Sequence, residues 1–184
     1  MGAIQDAFAR AREKVSTRAI PAKVETRLAF LMKREKGSTK AVAARLGVSQ
    51  RTVQRALKGT HRPNAQTAAA LEREVRKDWQ PKVKERAEAK AAGQGFTVAT
   101  RARFGFRSAA GSSDDGRIRL ITQHIAPEHA GEAFRAYRAG ATEDELQEII
   151  AAGLGQSYFR DGGRRAAGLD VHMTEVDHLD VDYG

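Results

Sequence analysis

The chain has 184 residues, 32 Lys and Arg against 23 Asp and Glu, a formal net charge of +9 and no cysteine. This length suits one domain or two small ones, and the lack of cysteine excludes disulfides, thiolate zinc sites and cysteine nucleophiles. No apolar run approaches the ~20 residues of a membrane span, and no apolar signal-peptide core opens the chain, so a cytoplasmic protein without a membrane partner is expected.

Taken in order, Ile4, Phe8, Ala11 and Val15 recur at helical spacing, which predicts an amphipathic helix over about residues 3–15 with Arg10, Arg12 and Lys14 outward. Ser16-Thr17 and Ile20-Pro21 break it. Val24, Leu28, Leu31 and Met32 mark a second helix ending at Lys36-Gly37, and Ser38 or Thr39 caps the next. From Thr39 to Leu57 the pattern is that of a helix-turn-helix. Val42 and Leu46 give a buried stripe, Ala43 is small where the helices touch, and Gly47 can take the positive φ of a tight turn. Val48 fills the corner, Ser49 caps the second helix, Val53 and Leu57 face the core four residues apart, and Gly59 stops the helix. Gln50, Arg51, Gln54 and Arg55 are then left outward. Their side chains can make bidentate contacts to adenine and guanine edges in the major groove. Lys40, Ser49 and Lys58 complete the candidate DNA-binding face. A plain three-helix cluster accounts less well for four long polar residues on one face.

Thr60-His61-Arg62-Pro63-Asn64 is a loop, because Arg62 precedes a proline. A long basic helix follows from about Ala65, with Leu71, Val75 and Trp79 as its stripe. Pro81 kinks or restarts it, and Lys82, Lys84, Arg86 and Lys90 carry the charge to Gly93. The period then changes to two. Phe96–Thr100 with Arg101–Arg107, and Arg117–Thr122, are expected to be partner strands joined by Ser108–Gly116. Ala130, Ala133, Phe134 and Tyr137 predict a helix ending at Gly140. Thr142-Glu143-Asp144-Glu145 is a capping box for another that carries Leu146, Ile149, Ile150 and Leu154. Tyr158 to Arg165 reads as a turn, and Leu169, Val171, Met173 and Val176 as a closing strand.

The expected fold class is therefore α+β: an N-terminal helical helix-turn-helix domain and long basic helix, then a small β-β-α-α-β antiparallel-sheet domain. Domain boundaries fall at residues 1–62, 63–95 and 96–184. Charge follows a similar division. Residues 1–107 hold 25 Lys and Arg against 9 Asp and Glu, whereas residues 108–184 hold 7 against 14. A basic half that meets a polyanion and an acidic half with another task are expected.

Chemistry could sit in the loop around Ser112, Ser113, Asp114 and Asp115. A serine oxygen is a possible nucleophile in phosphoryl transfer, and a carboxylate beside it can take the proton or help hold a metal. Turn chemistry alone also explains these residues. Arg101 and Arg103, with Phe104 and Phe106, resemble the aromatic and basic strands that stack single-stranded bases; a buried strand with two core aromatics explains them as well. Arg164-Arg165 after a double glycine could grip a phosphate, though a solvated turn accounts for them too. The histidines at 61, 124, 129, 172 and 178 show no metal-ligand spacing, and no metal site is expected from them.

Four blocks together carry a family resemblance: Thr39–Ala43 with Gly47–Val53, Leu71–Lys77 with Trp79-Gln80-Pro81, Thr100–Arg103, and Tyr158–Arg165. In these the chain resembles the telomere terminal proteins of the Tpg type from linear Streptomyces chromosomes and plasmids. The resemblance implies a protein primer rather than an enzyme. Such a protein is bound covalently to the 5′ ends of linear DNA and supplies the hydroxyl for the first deoxynucleotide. Its implied partners are double- and single-stranded telomeric DNA, a DNA polymerase and a telomere-associated protein. It needs no cofactor of its own, with magnesium expected alongside the polymerase, and it sits in the nucleoid at DNA ends. The family's priming threonine lies in a Gly-Thr-Thr-Asp-like loop, which here corresponds to Ser112 and Ser113, with Ser113 favoured beside Asp114 and the part of Asp115 open. The alternative is a helix-turn-helix transcriptional regulator with a C-terminal dimerisation or effector domain. A nuclease or transferase using Asp114 and Asp115 with a metal is a third reading.

Overall fold

The computed structural model describes residues 2–107, 116–160 and 170–184. The chain is α+β, as expected: α1 (Ala3–Lys14), α2 (Val24–Arg34), α3 (Thr39–Leu46), α4 (Gln50–Leu57), α5 (Ala65–Asp78), α6 (Pro81–Gln94), β1 (Phe96–Arg107), β2 (Arg117–Ile125), α7 (Pro127–Ala139), α8 (Glu143–Leu154) and β3 (Asp170–Asp182). These elements pack as two compact units. One is Ser16–Pro81; the other joins the chain up to Val15 to everything from Lys82 onward.

That division differs from boundaries at 62/63 and 95/96. An amphipathic stripe states that a helix buries a face, not what it buries it against, and α1 and α5 went to units other than those the chain order suggests. In the Ser16–Pro81 unit, α2 to α5 share a core of Leu28, Leu31, Val42, Ala43, Leu46, Val53, Ala70, Leu71 and Val75. Trp79 joins its margin, tilted against Phe30 at 5.3 Å between ring centres. The long basic helix is two helices. The backbone leaves α5 in an extended conformation at Trp79, takes a positive φ of 48° at Gln80, and restarts at Pro81, where a missing N–H costs nothing. The Gln80 side chain holds this break: Oε1 accepts from Thr17 N at 2.8 Å and Nε2 donates to Thr17 Oγ1 at 3.0 Å, while Trp79 Nε1 donates to Arg18 O at 2.8 Å.

In the other unit the sheet order is β2-β1-β3, antiparallel throughout. Period two puts Phe96, Val98, Ala102 and Phe104 of β1 on one face with Ile121, Ile125, Val171, Met173, Leu179 and Val181. Residues from α1, α6, α7 and α8 share that core, so all four helices belong to this unit. Phe8 of α1 is fully buried, edge-on to Phe96 and Phe134 at 5.6 and 5.5 Å and stacked on Tyr137 at 5.1 Å. The start of α1 has no cap of its own. Glu143 of α8 supplies it, Oε1 accepting from Ile4 N at 2.6 Å and Oε2 from Gln5 N at 3.2 Å. Gly2 permits this approach, because a Cβ there would collide with the Glu143 carboxyl. The Thr142–Glu145 capping box forms as expected. Tyr158 and Phe159, expected in a turn, end a single π-helical turn, Gly155–Phe159, that extends α8.

The closing strand is longer than Leu169 to Val176 and is interrupted. While β1 steps from Arg103 to Arg101, β3 steps from Thr174 to His178, so Glu175, Val176 and Asp177 form a bulge, with Glu175 at φ 48°. The bulge turns Val176 toward the core and Glu175 and Asp177 toward the arginines of β1.

Candidate nucleic-acid interface

The reading surface is built by the α3-turn-α4 segment. Ser38, one residue before α3, caps it by accepting from Ala41 N at 3.2 Å. Gly47 at φ 66° ends α3, and Val48 N returns to Ala43 O at 3.1 Å to close the turn. Ser49 is held as the cap of α4: its Oγ accepts from Thr52 N at 3.1 Å and lies 2.9 Å from Thr52 Oγ1. At the far end Gly59, at φ 70°, reverses the chain, and Thr60 N donates to Arg55 O at 3.0 Å.

Lys40, Ser49, Gln50, Arg51, Gln54, Arg55 and Lys58 are all exposed. Gln50, Arg51, Gln54, Arg55 and Lys58 recur at helical spacing, so they share one side of α4. Gln50 is steadied from α3, its Nε2 donating to Thr39 Oγ1 at 2.7 Å. Leu57 is the exception to the expected core stripe. It is 44% exposed, while Val53 is 2% exposed and Ala56 packs on the core instead.

The charges behind this surface are organised by Arg45, a residue the sequence did not single out. Its Nε and Nη2 donate to Glu74 Oε2 at 3.0 and 2.8 Å, and its Nη1 to Glu35 Oε1 at 2.9 Å and Asp78 Oδ2 at 2.8 Å. Burial opposes the charge, but hydrogen bonds to Asp78, Glu35 and Glu74 outweigh it and raise the guanidinium pKa above its ordinary value. Arg27 and Arg76 flank Glu72 at 3.0 and 2.8 Å, and Lys77 lies 2.6 Å from Glu74. Thus four of the five carboxylates in residues 16–81 are matched to cations on α2, α3 and α5. Since α4 carries no acid at all, the helix itself is net positive. The partners of Arg45 lie 10 to 33 residues away in sequence, and no local pattern announces them.

The other candidate DNA contacts, Arg101 and Arg103, are engaged within the protein. Arg101 pairs with Asp177, and Arg103 Nε lies 3.0 Å from Glu175 while its Nη1 donates to Gly116 O at 2.7 Å. Phe104 does not present a stacking surface. It is buried, and both it and the half-buried Phe106 pack on Phe159, at 5.5 and 4.9 Å. The core explanation of that strand holds. Ser112, Ser113, Asp114 and Asp115, and Arg164 and Arg165, lie outside the described residues. Among the described residues no group of His, Asp and Glu is placed to hold a metal ion, and no helix is long and apolar enough to cross a membrane.

Residues 21–65, from just before α2 through the loop after α4, match the family model of the homeodomain-like domain. The match covers the part of the chain whose geometry has just been described, and it defines a helix-turn-helix DNA-binding module. No curated protein and no solved structure matches the chain.

Proposed function

We propose that this DNA-binding protein is a terminal protein of linear DNA: the helix-turn-helix unit seats it on duplex, and the sheet unit offers Ser113, or its neighbour Ser112, as a primer for a DNA polymerase. The observation that carries the reading is the separation of a positively charged unit with a bare polar helix face from a second unit with its own core. The described residues nearest that segment are held in the second unit, Phe104 pairing with Arg117 and Arg103 donating to the Gly116 carbonyl. The family resemblance in the sequence supplies the reaction. The serine Oγ attacks the α-phosphorus of a deoxynucleoside triphosphate, an O–P bond forms, and pyrophosphate leaves as the bond to it breaks. The hydroxyl proton passes to a carboxylate, Asp114 or one of the polymerase, which also brings the magnesium. A telomere-associated protein on the single-stranded overhang would complete the assembly.

The test is incorporation of labelled deoxynucleotide into the purified chain with a telomeric template and a replication extract. Label that survives denaturation and maps to Ser113 or Ser112, and is lost in Ser112→Ala/Ser113→Ala, is the expected result. A double variant that still accepts label ends the primer reading as stated. The regulator reading has one feature in its favour, the exposed Ile118 and Leu120 on edge strand β2, which a dimerising or effector module could use. It predicts tight binding to a palindromic duplex and indifference to DNA ends. Under either reading, Arg51→Ala and Arg55→Ala should each weaken duplex binding by about 1–3 kcal/mol if they read bases. If they touch phosphates, each should reduce the slope of log affinity against log salt by about 1. Fluorescence anisotropy across a salt series separates the two.

A further inference from the structure

We infer that Gln50 is the adenine-discriminating residue of α4 and that Thr39 is its positioning residue, an inference that rests on DNA binding through this helix. Two hydroxyls stand side by side at the start of α3. Ser38 takes the capping duty, its Oγ receiving Ala41 N at 3.2 Å. Thr39, one residue further on, therefore has its Oγ1 available, and it receives Gln50 Nε2 at 2.7 Å across the turn. The two side chains come from different helices, eleven residues apart, and Gln50 is the first residue of α4, fully on its exposed side.

The chemistry of the amide gives this contact its meaning. A glutamine NH₂ has two hydrogens. Thr39 accepts one, which leaves the other together with the carbonyl oxygen, the donor and acceptor that adenine N7 and N6 require. The contact also restrains the side chain before DNA arrives. An unrestrained glutamine would lose that freedom on binding, a cost of about two- to tenfold in affinity. Recognition helices read bases from their N-terminal end, where Gln50 stands, and a neutral amide has little to gain from a phosphate compared with Arg51 or Arg55 beside it. Thr39 is thus the one hydroxyl at this surface whose observed partner is a reading side chain rather than backbone or a neighbouring cap.

The experiment uses the full chain and a duplex selected from a randomised pool, with affinities measured by competition against every single base-pair substitution. Gln50→Ala and Gln50→Met should flatten the preference at one A·T pair by about 5- to 100-fold, a larger loss than either causes against scrambled duplex. Thr39→Val, which keeps the shape and removes the acceptor, should lower the preference at the same pair by about two- to tenfold, and Thr39→Ser should restore it. A Thr39→Val chain with the wild-type preference at that pair overturns the positioning role. A wild type that discriminates at pairs none of which responds to Gln50→Met overturns the discriminating role, without recourse to any variant of α3. A wild type that binds no duplex overturns both this inference and DNA binding by α4.

Discussion

The two units of this chain handle charge in opposite ways. Residues 16–81 hold 15 Lys and Arg against 5 Asp and Glu, while the remainder holds 17 against 18. The sequence halves suggested a basic part and an acidic part, but packing sorts the chain differently. By joining α1 and α6 to the sheet, it sets the cations of α1 against acids of both neighbours: Lys14 Nζ lies 2.9 Å from Asp180 of β3, and Arg12 Nε lies 3.2 Å from the buried Glu88 of α6. The sheet unit is therefore near balance, with arginines committed to internal pairs, and the excess positive charge belongs to the helix-turn-helix unit. There the acids are gathered behind the reading helix by Arg45. Binding of a polyanion follows from this placement more than from net charge.

The largest effect is expected at Phe8. If α1 is part of the sheet unit, Phe8→Ala empties the centre of an aromatic cluster and should cost that unit about 3–5 kcal/mol. Hydrogen exchange should show amides of β1 and α7 losing protection while those of α3 and α4 keep theirs. Equal loss in both would mean that the chain does not divide as described.

A smaller effect is expected from the other unit. Arg45→Met leaves Glu35, Glu74 and Asp78 converging without their shared cation. Because Arg45 is 23% exposed, about 2 kcal/mol is expected rather than the 3–5 of a fully buried pair. The pH dependence sharpens the point. Burial opposes ionisation of Glu74, but hydrogen bonds from Lys77 and Arg45 hold its carboxyl below the ordinary value; for Glu72 the hydrogen bond from Arg76 and then the charge of Arg27 do the same. A carboxylate with a depressed folded pKa contributes stability that is complete above its unfolded pKa of about 4.3 and is lost as pH falls through the folded pKa. In Arg45→Met the carboxylates instead repel, so their protonation relieves strain. Urea unfolding should therefore show the gap between wild type and variant narrowing from neutral pH toward pH ~4. A gap that is constant with pH would assign the loss to packing of the Arg45 stem.

How far the sequence foretold these features depended on how local their causes were. The α3-turn-α4 segment was legible because Gly47, Ser49 and Val53 act on neighbours a few residues away. The partnership of α1 was not, since the Glu143 cap and the Phe8 cluster come from distant residues. The bulge in β3 was hidden as well. Glu175 and Asp177 occupy positions that alternation assigns to the core, and only their pairing with Arg103 and Arg101 explains why they turn away. That pairing also gives two arginines that looked unpartnered a carboxylate each on β3. The role proposed for the serines of the 108–115 segment rests on family resemblance, since hydroxyls, acids and glycines together read equally as turn chemistry.

The smallest effect tests the rotation of α4 itself. Spacing of four suggested that Val53 and Leu57 share the core face, yet Leu57 is exposed and Ala56, three residues from Val53, packs inward. Three and four residues are both near one turn, so sequence cannot choose between them; in an eight-residue helix the choice sets which residues face outward. Leu57 lies seven residues after Gln50 and three after Gln54, so these share a side, and an outward Leu57 means an outward Gln50 and Gln54. Leu57→Gln, which keeps helix propensity, should change stability by less than about 0.5 kcal/mol, whereas Val53→Ala should cost about 2. Equal urea midpoints for the two variants would show that Leu57 is buried in solution. The helix would then be turned so that Arg51 and Arg55, rather than the glutamines, led its approach to DNA.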